Sequence, residues 1–221
     1  MREIVAILSK DLRIELRAKV VISQVLPFAM IVLVLFGLAL DADRTTLRNF
    51  TPGLFWVTVL FAAILAIQRS VSVETESGAF EALRLSGSPG WKVFTGKALA
   101  VAAQLLAIEA VMLVGVVVLY RTEFDEPLLT LVAAVGATSA IAAAGSLYGV
   151  LAVGMGVRDT ILPMLLLPVL APVLVAATRA FDDALGTAAV NGWAWCGLLA
   201  CFAVIYAALG SAAYSVVLED A

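Results

Sequence analysis

The sequence predicts an all-α, polytopic membrane protein with six transmembrane helices. Hydrophobic residues make up 63% of the 221 residues and charged residues only 14%, whereas roughly 25% of the residues in soluble domains are charged. A soluble domain could not cover this much apolar surface. Apolar runs of about 18 residues or more recur along the chain, and such a run crosses about 30 Å of hydrocarbon as a helix.

Residues 1–19 are predicted to form an amphipathic helix at the membrane surface. Apolar side chains recur there at spacings of three and four residues, namely Ile4, Ile7, Leu8, Leu12 and Leu16. This spacing places them on one face of a helix, while most charged residues fall elsewhere. Such a helix suits the cytoplasmic interface before the first span. The alternative is a solvated extension of that span.

The apolar runs predict one transmembrane domain over residues 1–221. The spans are placed at about 20–40, 52–69, 98–120, 128–153, 160–180 and 193–217. No low-complexity segment or domain linker interrupts them. Three prolines in the fifth span, Pro163, Pro168 and Pro172, predict a kinked or broken helix.

The distribution of basic residues predicts the orientation. Of the 14 lysines and arginines, about ten fall on the side of the N-terminus and about four on the other side, and cytoplasmic loops carry the excess of bases. We therefore expect a multi-pass protein with both termini in the cytoplasm. The long loop at residues 70–97 is then cytoplasmic as well.

This loop is the one substantial polar interruption of the chain, and it predicts a short helix at about 78–85. Phe80 and Leu83 share one face at a spacing of three residues, and Glu81 can pair with Arg84 on another. The sequence at 86–90 then ends the helix with glycine and proline. A short amphipathic helix of this kind suits the groove of a partner protein. The alternative is a helix that rests on the bilayer or on neighbouring spans.

Composition excludes several classes of function. The chain has no histidine, which excludes histidine-ligated metal or haem and histidine acid–base catalysis. Its net charge of −3 provides no basic surface for nucleic acid. Cys196 and Cys201 lack the spacing of a disulfide framework or a metal site. We predict no catalytic residues, no metal site and no cofactor held by this chain.

Two features inside the spans are candidates for a role. Glu109 lies near the middle of the third span, where an ionised acid costs about 2.5–3.5 kcal/mol. It could line a gate or cargo path, or it could pair with a Ser, Thr or Tyr of another span. Gly145 and Gly149 form a Gly-x-x-x-Gly pattern that lets helices approach closely. They predict packing within the chain or, alternatively, at a subunit interface.

Three stretches of sequence resemble a known transporter family. Residues 10–17 read Lys-Asp-Leu-Arg-Ile-Glu-Leu-Arg, and the second span opens at residues 51–57 with Thr-Pro-Gly-Leu-Phe-Trp-Val. The loop contributes Glu74, Gly78, Glu81, Leu83, Pro89 and Gly96-Lys97. In this order, and over essentially the whole chain, they resemble the haem exporter B family of cytochrome c maturation, which is similar to ABC-2-type exporter permeases.

The resemblance implies a permease that is not itself an enzyme and works with a separate cytoplasmic ABC ATPase. The chain is consistent with this because it has no Gly-rich Walker loop. The residues implied to form the ATPase-coupling loop are Glu74, Gly78, Phe80, Glu81, Leu83 and Pro89. Val71 and Ser77 depart from the family pattern, which has an aromatic residue and an acid there.

The resemblance further implies the bilayer of the bacterial inner membrane, other haem-handling membrane subunits, ATP bound by the partner and haem as cargo. Two alternatives remain open. The chain could be an ABC-2 permease for a drug, lipid or polysaccharide, or a scaffold that transports nothing and relays ATPase motion to a haem-handling partner.

Overall fold

The computed structural model describes residues 1–19, 21–39, 44–76, 88–122, 124–155 and 158–220, and all regular secondary structure in this part of the chain is helical. A π-helical turn, Val21–Val25, precedes the second α-helix. The α-helices are α1 Arg2–Ala18, α2 Leu26–Ala39, α3 Arg44–Glu76, α4 Gly90–Tyr120, α5 Pro127–Met155, α6 Arg158–Ala184 and α7 Gly192–Asp220. The predicted all-α class is confirmed.

Five of these helices are long and apolar enough to cross a membrane. They contain the candidate spans Thr45–Ser72, Gly90–Tyr120, Pro127–Leu151, Leu162–Ala184 and Gly192–Val217. The predicted first span differs, because its apolar helix at Ser23–Ala39 is shorter. The 14 α-helical residues of α2 are about 21 Å long at 1.5 Å per residue, less than the hydrocarbon thickness.

Several helices extend beyond the apolar runs that predicted them. α4 begins at Gly90 after Pro89, eight residues before the predicted span, and the 33 residues of α3 enclose Pro52. Polar residues at the ends of an apolar run continue the same helix. α6 is one helix through Pro163, Pro168 and Pro172, so the predicted break does not occur.

Two helices form the centre of the bundle. Within the candidate spans of α3 and α5, 67% of the residues in the most apolar window are buried, compared with 17% for α7. α5 packs against α4, α6 and α7, and α3 packs against α2, α4, α5 and α6. An aromatic cluster of Phe55, Trp56 and Phe181, with ring centroids 5.0–5.4 Å apart, joins α3 to α6.

The bundle has two ends. At the α3–α4 end, α3 finishes and α4 begins, close to α1 and to the last turns of α5 and α7. At the α6–α7 end, Arg48 at the start of α3 joins two other segments. Its guanidinium contacts the Asp125 carboxylate at 2.9 Å, and it donates hydrogen bonds of 3.0 and 2.6 Å to the carbonyl of Leu185.

Candidate coupling site

The predicted coupling loop is described only at its two ends. Gly78, Phe80, Glu81 and Leu83, and with them the predicted helix at 78–85, lie outside the described residues. On one side of the loop, the backbone is helical through Glu74 to the end of α3 at Glu76. On the other side, exposed Pro89 is the N-cap of α4. The candidate site is therefore built from the ends of α3 and α4 and their neighbours.

α1 packs directly against the first turns of α4. Ile7 is buried, and a Cβ atom on Gly96 would lie only 2.9 Å from the Cβ of Ile7. The absence of a side chain at Gly96 therefore allows the two helices to approach closely. An ion pair between Lys92 and Glu3, 3.2 Å apart, adds a second contact. Any movement of the start of α4 would be transmitted to α1.

Most of the predicted apolar stripe of α1 packs on the bundle: Ile7 is buried, and Ile4, Leu8 and Leu12 are partly buried. Leu16, a member of that stripe, is 69% exposed, whereas the side chain of Asp11 is only 12% exposed. Asp11 and Glu15, one helical turn apart, line a small cavity of about 30 Å³ with Arg69 of α3 and Gln104 of α4. The helix thus presents acids as well as apolar side chains to its neighbours.

Lys97 brings a buried positive charge to the same region. The residue is 4% exposed, and Asp11 attracts its ammonium group while Lys10 repels it. It lines a second cavity, of about 20 Å³, with Ser70, Ser146 and Tyr214. Because Ser70 lines both cavities, the two form one polar region between α1, α3, α4, α5 and α7. We call it the charge cluster and define it by Asp11, Glu15, Arg69, Ser70 and Lys97.

The charge cluster is sensitive to small displacements of its helices. A charge taken out of water costs several kcal/mol unless an opposite charge or a hydrogen bond compensates it. The acids of the cluster come from α1, while the bases come from α3 and α4, the helices on either side of the loop. Asp11 attracts Lys97 and is also paired with Lys10 of its own helix at 3.0 Å, whereas the buried Nε of Arg69 has no hydrogen-bond partner among the described residues. A shift of either helix changes these distances and therefore the electrostatic energy of the cluster.

The predicted site omitted Asp11, Glu15, Arg69 and Lys97. Asp11, Glu15 and Lys97 lie in the stretches that resemble the family, but no role was predicted for them. Two signals could have identified them. Asp11 and Glu15 are spaced four residues apart on one helix, and Lys97 lies seven residues inside a helix that begins at Gly90. The predicted span began at 98 and left Lys97 in water.

Glu109 lies in a different part of the bundle, about 18 Å along α4 from Lys97 at 1.5 Å per residue. It is 1% exposed, and the Thr138 hydroxyl of α5 donates a hydrogen bond of 2.5 Å to its Oε1. Its Oε2 has no hydrogen-bond partner among the described residues. The pair matches the interpretation in which Glu109 joins two helices.

Gly145 and Gly149 lie at the contact of α5 with α3 in the same chain. A Cβ atom on Gly145 would lie 2.8 Å from Cγ1 of Ile67, and one on Gly149 would lie 3.0 Å from Cγ2 of Val71. These two glycines therefore let α5 approach the last turns of α3, next to the charge cluster.

The Asp11→Asn variant is expected to destabilise the protein because it removes the acid that attracts buried Lys97. We expect the Asp11→Asn and Lys97→Met changes to be non-additive, with a coupling free energy on the order of 1 kcal/mol, as is typical for interacting residues. SDS-driven unfolding in detergent, run on both single variants and the double variant, measures this. Glu3→Gln, in the exposed pair with Lys92, is the control and should cost less than about 1 kcal/mol. Strict additivity would contradict the interaction.

Comparison with known proteins identifies the family. The profile of the CcmB protein family matches residues 2–220. The heme exporter protein B of Pseudomonas aeruginosa is 28% identical over 196 residues, which cover 81% of this chain and 80% of the relative. The heme exporter protein B of Rhodobacter capsulatus is 29% identical over 172 residues, or 77% and 78% of the two chains. The resemblance is confirmed, and this chain belongs to the CcmB family.

Proposed function

We propose that this chain is the membrane permease subunit of an ABC-type haem exporter in cytochrome c maturation, and that a partner subunit hydrolyses the ATP. The observation that carries the proposal is the charge cluster, because it joins α1 to the two helices that flank the predicted ATPase-docking loop. Family membership and the names of the relatives support haem as the cargo. Further haem-handling membrane subunits complete the complex.

The proposed mechanism is mechanical. Docking of the ATPase on residues 78–85 displaces the end of α3 and the start of α4. The start of α4 contacts α1 through Gly96 and contacts the backbone of α7 through Gly90. Because these contacts leave no space for a side chain, α1 and α7 follow α4 when it moves. The bases of the charge cluster then change their distances to Asp11 and Glu15.

The proposed topology has six crossings in the bacterial inner membrane, with both termini in the cytoplasm. The five long helices supply five crossings, and the segment from the π-helical turn through α2 supplies the sixth. This segment is short, so the flanking basic residues Arg17 and Lys19 reach the headgroup level. The even number of crossings and the excess of bases around α1 support this orientation.

The Glu81→Lys and Leu83→Asp variants test the docking of the ATPase. Each should abolish co-purification of the ATPase subunit in mild detergent, because one reverses a charge and the other inserts a charge on the apolar face of the predicted helix. Glu126→Lys, an exposed acid at the α6–α7 end, makes the same charge change and should retain the partner. Full co-purification with both loop variants would overturn docking through this helix.

Vesicles that contain the purified complex test the transport step. ATP-dependent movement of haem across the vesicle membrane supports the permease function. ATP hydrolysis that depends on this chain but moves no haem would instead support a scaffold that relays motion to a haem-handling partner. Movement of a different cargo would support a related ABC-2 permease.

A further inference from the structure

A groove lies between α3 and α6 at the α6–α7 end of the bundle. Its volume is about 640 Å³, within the range of about 300–1,000 Å³ that is typical of small-molecule sites. Phe50, Leu174 and Val175 give it an apolar surface, and Asn49, Thr178 and Arg179 add hydrogen-bond donors. The lining also includes one acid, Asp182, which is paired with Arg179. Phe50 and Val175 are more than half exposed, so a ligand can reach both the apolar and the polar part.

The polar groups of the groove are oriented and still available. Arg179 uses Nη1 to contact Oδ2 of Asp182 at 3.3 Å, and Asp182 also accepts a hydrogen bond of 3.2 Å from Thr187. This contact fixes the guanidinium while its Nε and Nη2 donate to no described residue. The side chains of Asn49 and Thr178 likewise have no hydrogen-bond partner in the part of the chain that the structure describes. The groove therefore offers several donors beside an apolar wall.

Two other grooves of comparable size lack this combination. In a groove of about 440 Å³ between α4 and α5, the polar side chain is Thr130, whose hydroxyl is bonded to the carbonyl of Glu126. In a groove of about 310 Å³ between α4, α5 and α7, the hydroxyls of Thr95, Ser139 and Ser211 are bonded to their own helices. Neither groove has an arginine among its described lining residues.

We propose that the groove between α3 and α6 binds haem through its porphyrin dicarboxylate. A porphyrin of this class is a flat apolar ring with two carboxylates on one edge. The ring would lie on Phe50, Leu174 and Val175, and the carboxylates would accept hydrogen bonds from Arg179, whose planar guanidinium suits carboxylates. The proposal rests on the proposed function, because haem export supplies the ligand.

The lining residues also predict that the groove does not ligate the haem iron. Among the described residues that line the groove there is no His, Cys, Met or Tyr side chain, and these are the residue types that bind haem iron. Binding should therefore depend on the carboxylates and be indifferent to the metal. Zinc protoporphyrin should bind as well as ferric haem, and the dimethyl ester of protoporphyrin should bind much more weakly.

Gly53 offers a direct way to fill the groove. It lines the groove, and no heavy atom lies within 4 Å of the position that a Cβ atom would take. Gly53→Leu therefore adds a side chain beside the groove whose Cβ atom meets open space. Gly197 on α7 has equally open surroundings and lies outside the groove. Gly197→Leu is therefore a matched control for the same chemical change.

The test is a titration of the complex of this chain and its ATPase in lipid nanodiscs with ferric haem, zinc protoporphyrin and protoporphyrin dimethyl ester. Quenching of tryptophan fluorescence reports binding, and empty nanodiscs give the background from haem dissolved in lipid. The Kd of Gly53→Leu and of Arg179→Gln should rise at least tenfold, while that of Gly197→Leu should match the wild type. The dimethyl ester should also bind at least tenfold more weakly than ferric haem.

An unchanged Kd for Gly53→Leu would overturn the proposal, and so would equal binding of the dimethyl ester. Competition by an anionic phospholipid, with no effect of haem, would overturn it in favour of a lipid occupant. Failure of the proposed function has a different signature. If the loop variants keep the ATPase but the groove variants lose haem, then ATPase docking through residues 78–85 is contradicted and haem binding in the groove is supported. If the loop variants lose the ATPase while Gly53→Leu binds haem normally, then haem binding in the groove is contradicted and ATPase docking through residues 78–85 is supported.

Discussion

Gly90→Ala is expected to lower the free energy of unfolding by about 2–3 kcal/mol. A Cβ atom at position 90 would lie 2.6 Å from the carbonyl carbon of Tyr214 and from Cα of Ser215. These are backbone atoms of α7, which cannot rotate away as the tip of a side chain can. The start of α4 and the end of α7 would have to separate. SDS-driven unfolding in detergent, followed by circular dichroism, measures the loss.

Gly53→Ala is the matched control for this substitution. It makes the same change within a helix, but no heavy atom lies within 4 Å of the new methyl group. Because alanine is favoured over glycine in helices by about 1 kcal/mol, the variant should be as stable as the wild type or more stable. If Gly90→Ala unfolds like Gly53→Ala, the close contact of α4 with α7 is wrong.

Thr138→Val is expected to cost about 1–3 kcal/mol of stability. The substitution keeps the shape of the side chain but removes the hydroxyl that donates to Oε1 of Glu109. A buried carboxyl group, 1% exposed, then has no donor from α5. Glu109→Gln should cost less, because its amide still accepts a hydrogen bond from Thr138. The same SDS titration compares the variants.

A double variant, Glu109→Leu with Thr138→Val, separates the two interpretations of Glu109. Replacing both partners of a buried pair by apolar groups of similar shape can be nearly neutral for stability. If the pair only joins α4 to α5, the double variant should be stable and should export haem at the rate of the wild type. A stable double variant with lost export would instead assign Glu109 to a gate or cargo path.

Much of the fold could be predicted because a membrane imposes simple requirements. Every backbone polar group must be satisfied within its own segment in hydrocarbon, so an apolar run of sufficient length has to be a helix. The runs near 98–120 and 193–217 therefore predicted α4 and α7. The true ends of these helices depend on polar residues that hydropathy ignores. The continuity of α6 through Pro163, Pro168 and Pro172 depends on the packing of its neighbours.

The site was less predictable because its members are far apart in the sequence. Asp11 lies near Arg69 and Lys97 only because α1 packs on α4. The close approach of Ile7 to Gly96, which allows this packing, cannot be seen in a hydrophobic pattern. The orientation of α1 depends on these contacts. The predicted stripe is buried or partly buried except at Leu16, but the apolar pattern does not show that Asp11 and Glu15 also face the bundle.

Arg48 has a consequence for how the protein can move. It ties the first turns of α3 to Asp125 and Leu185, while the predicted docking loop follows the other end of the same 33-residue helix, about 42 Å from Arg48 at 1.5 Å per residue. If α3 moves as a rigid helix, a push at its last turn rotates it about its first turns, where Arg48 holds it. The displacement therefore falls toward zero near Asn49 and Gly53. A movement of the last turns of α3 would therefore leave the groove between α3 and α6 nearly stationary, so that a ligand bound there keeps its position while the loop end of the helix moves.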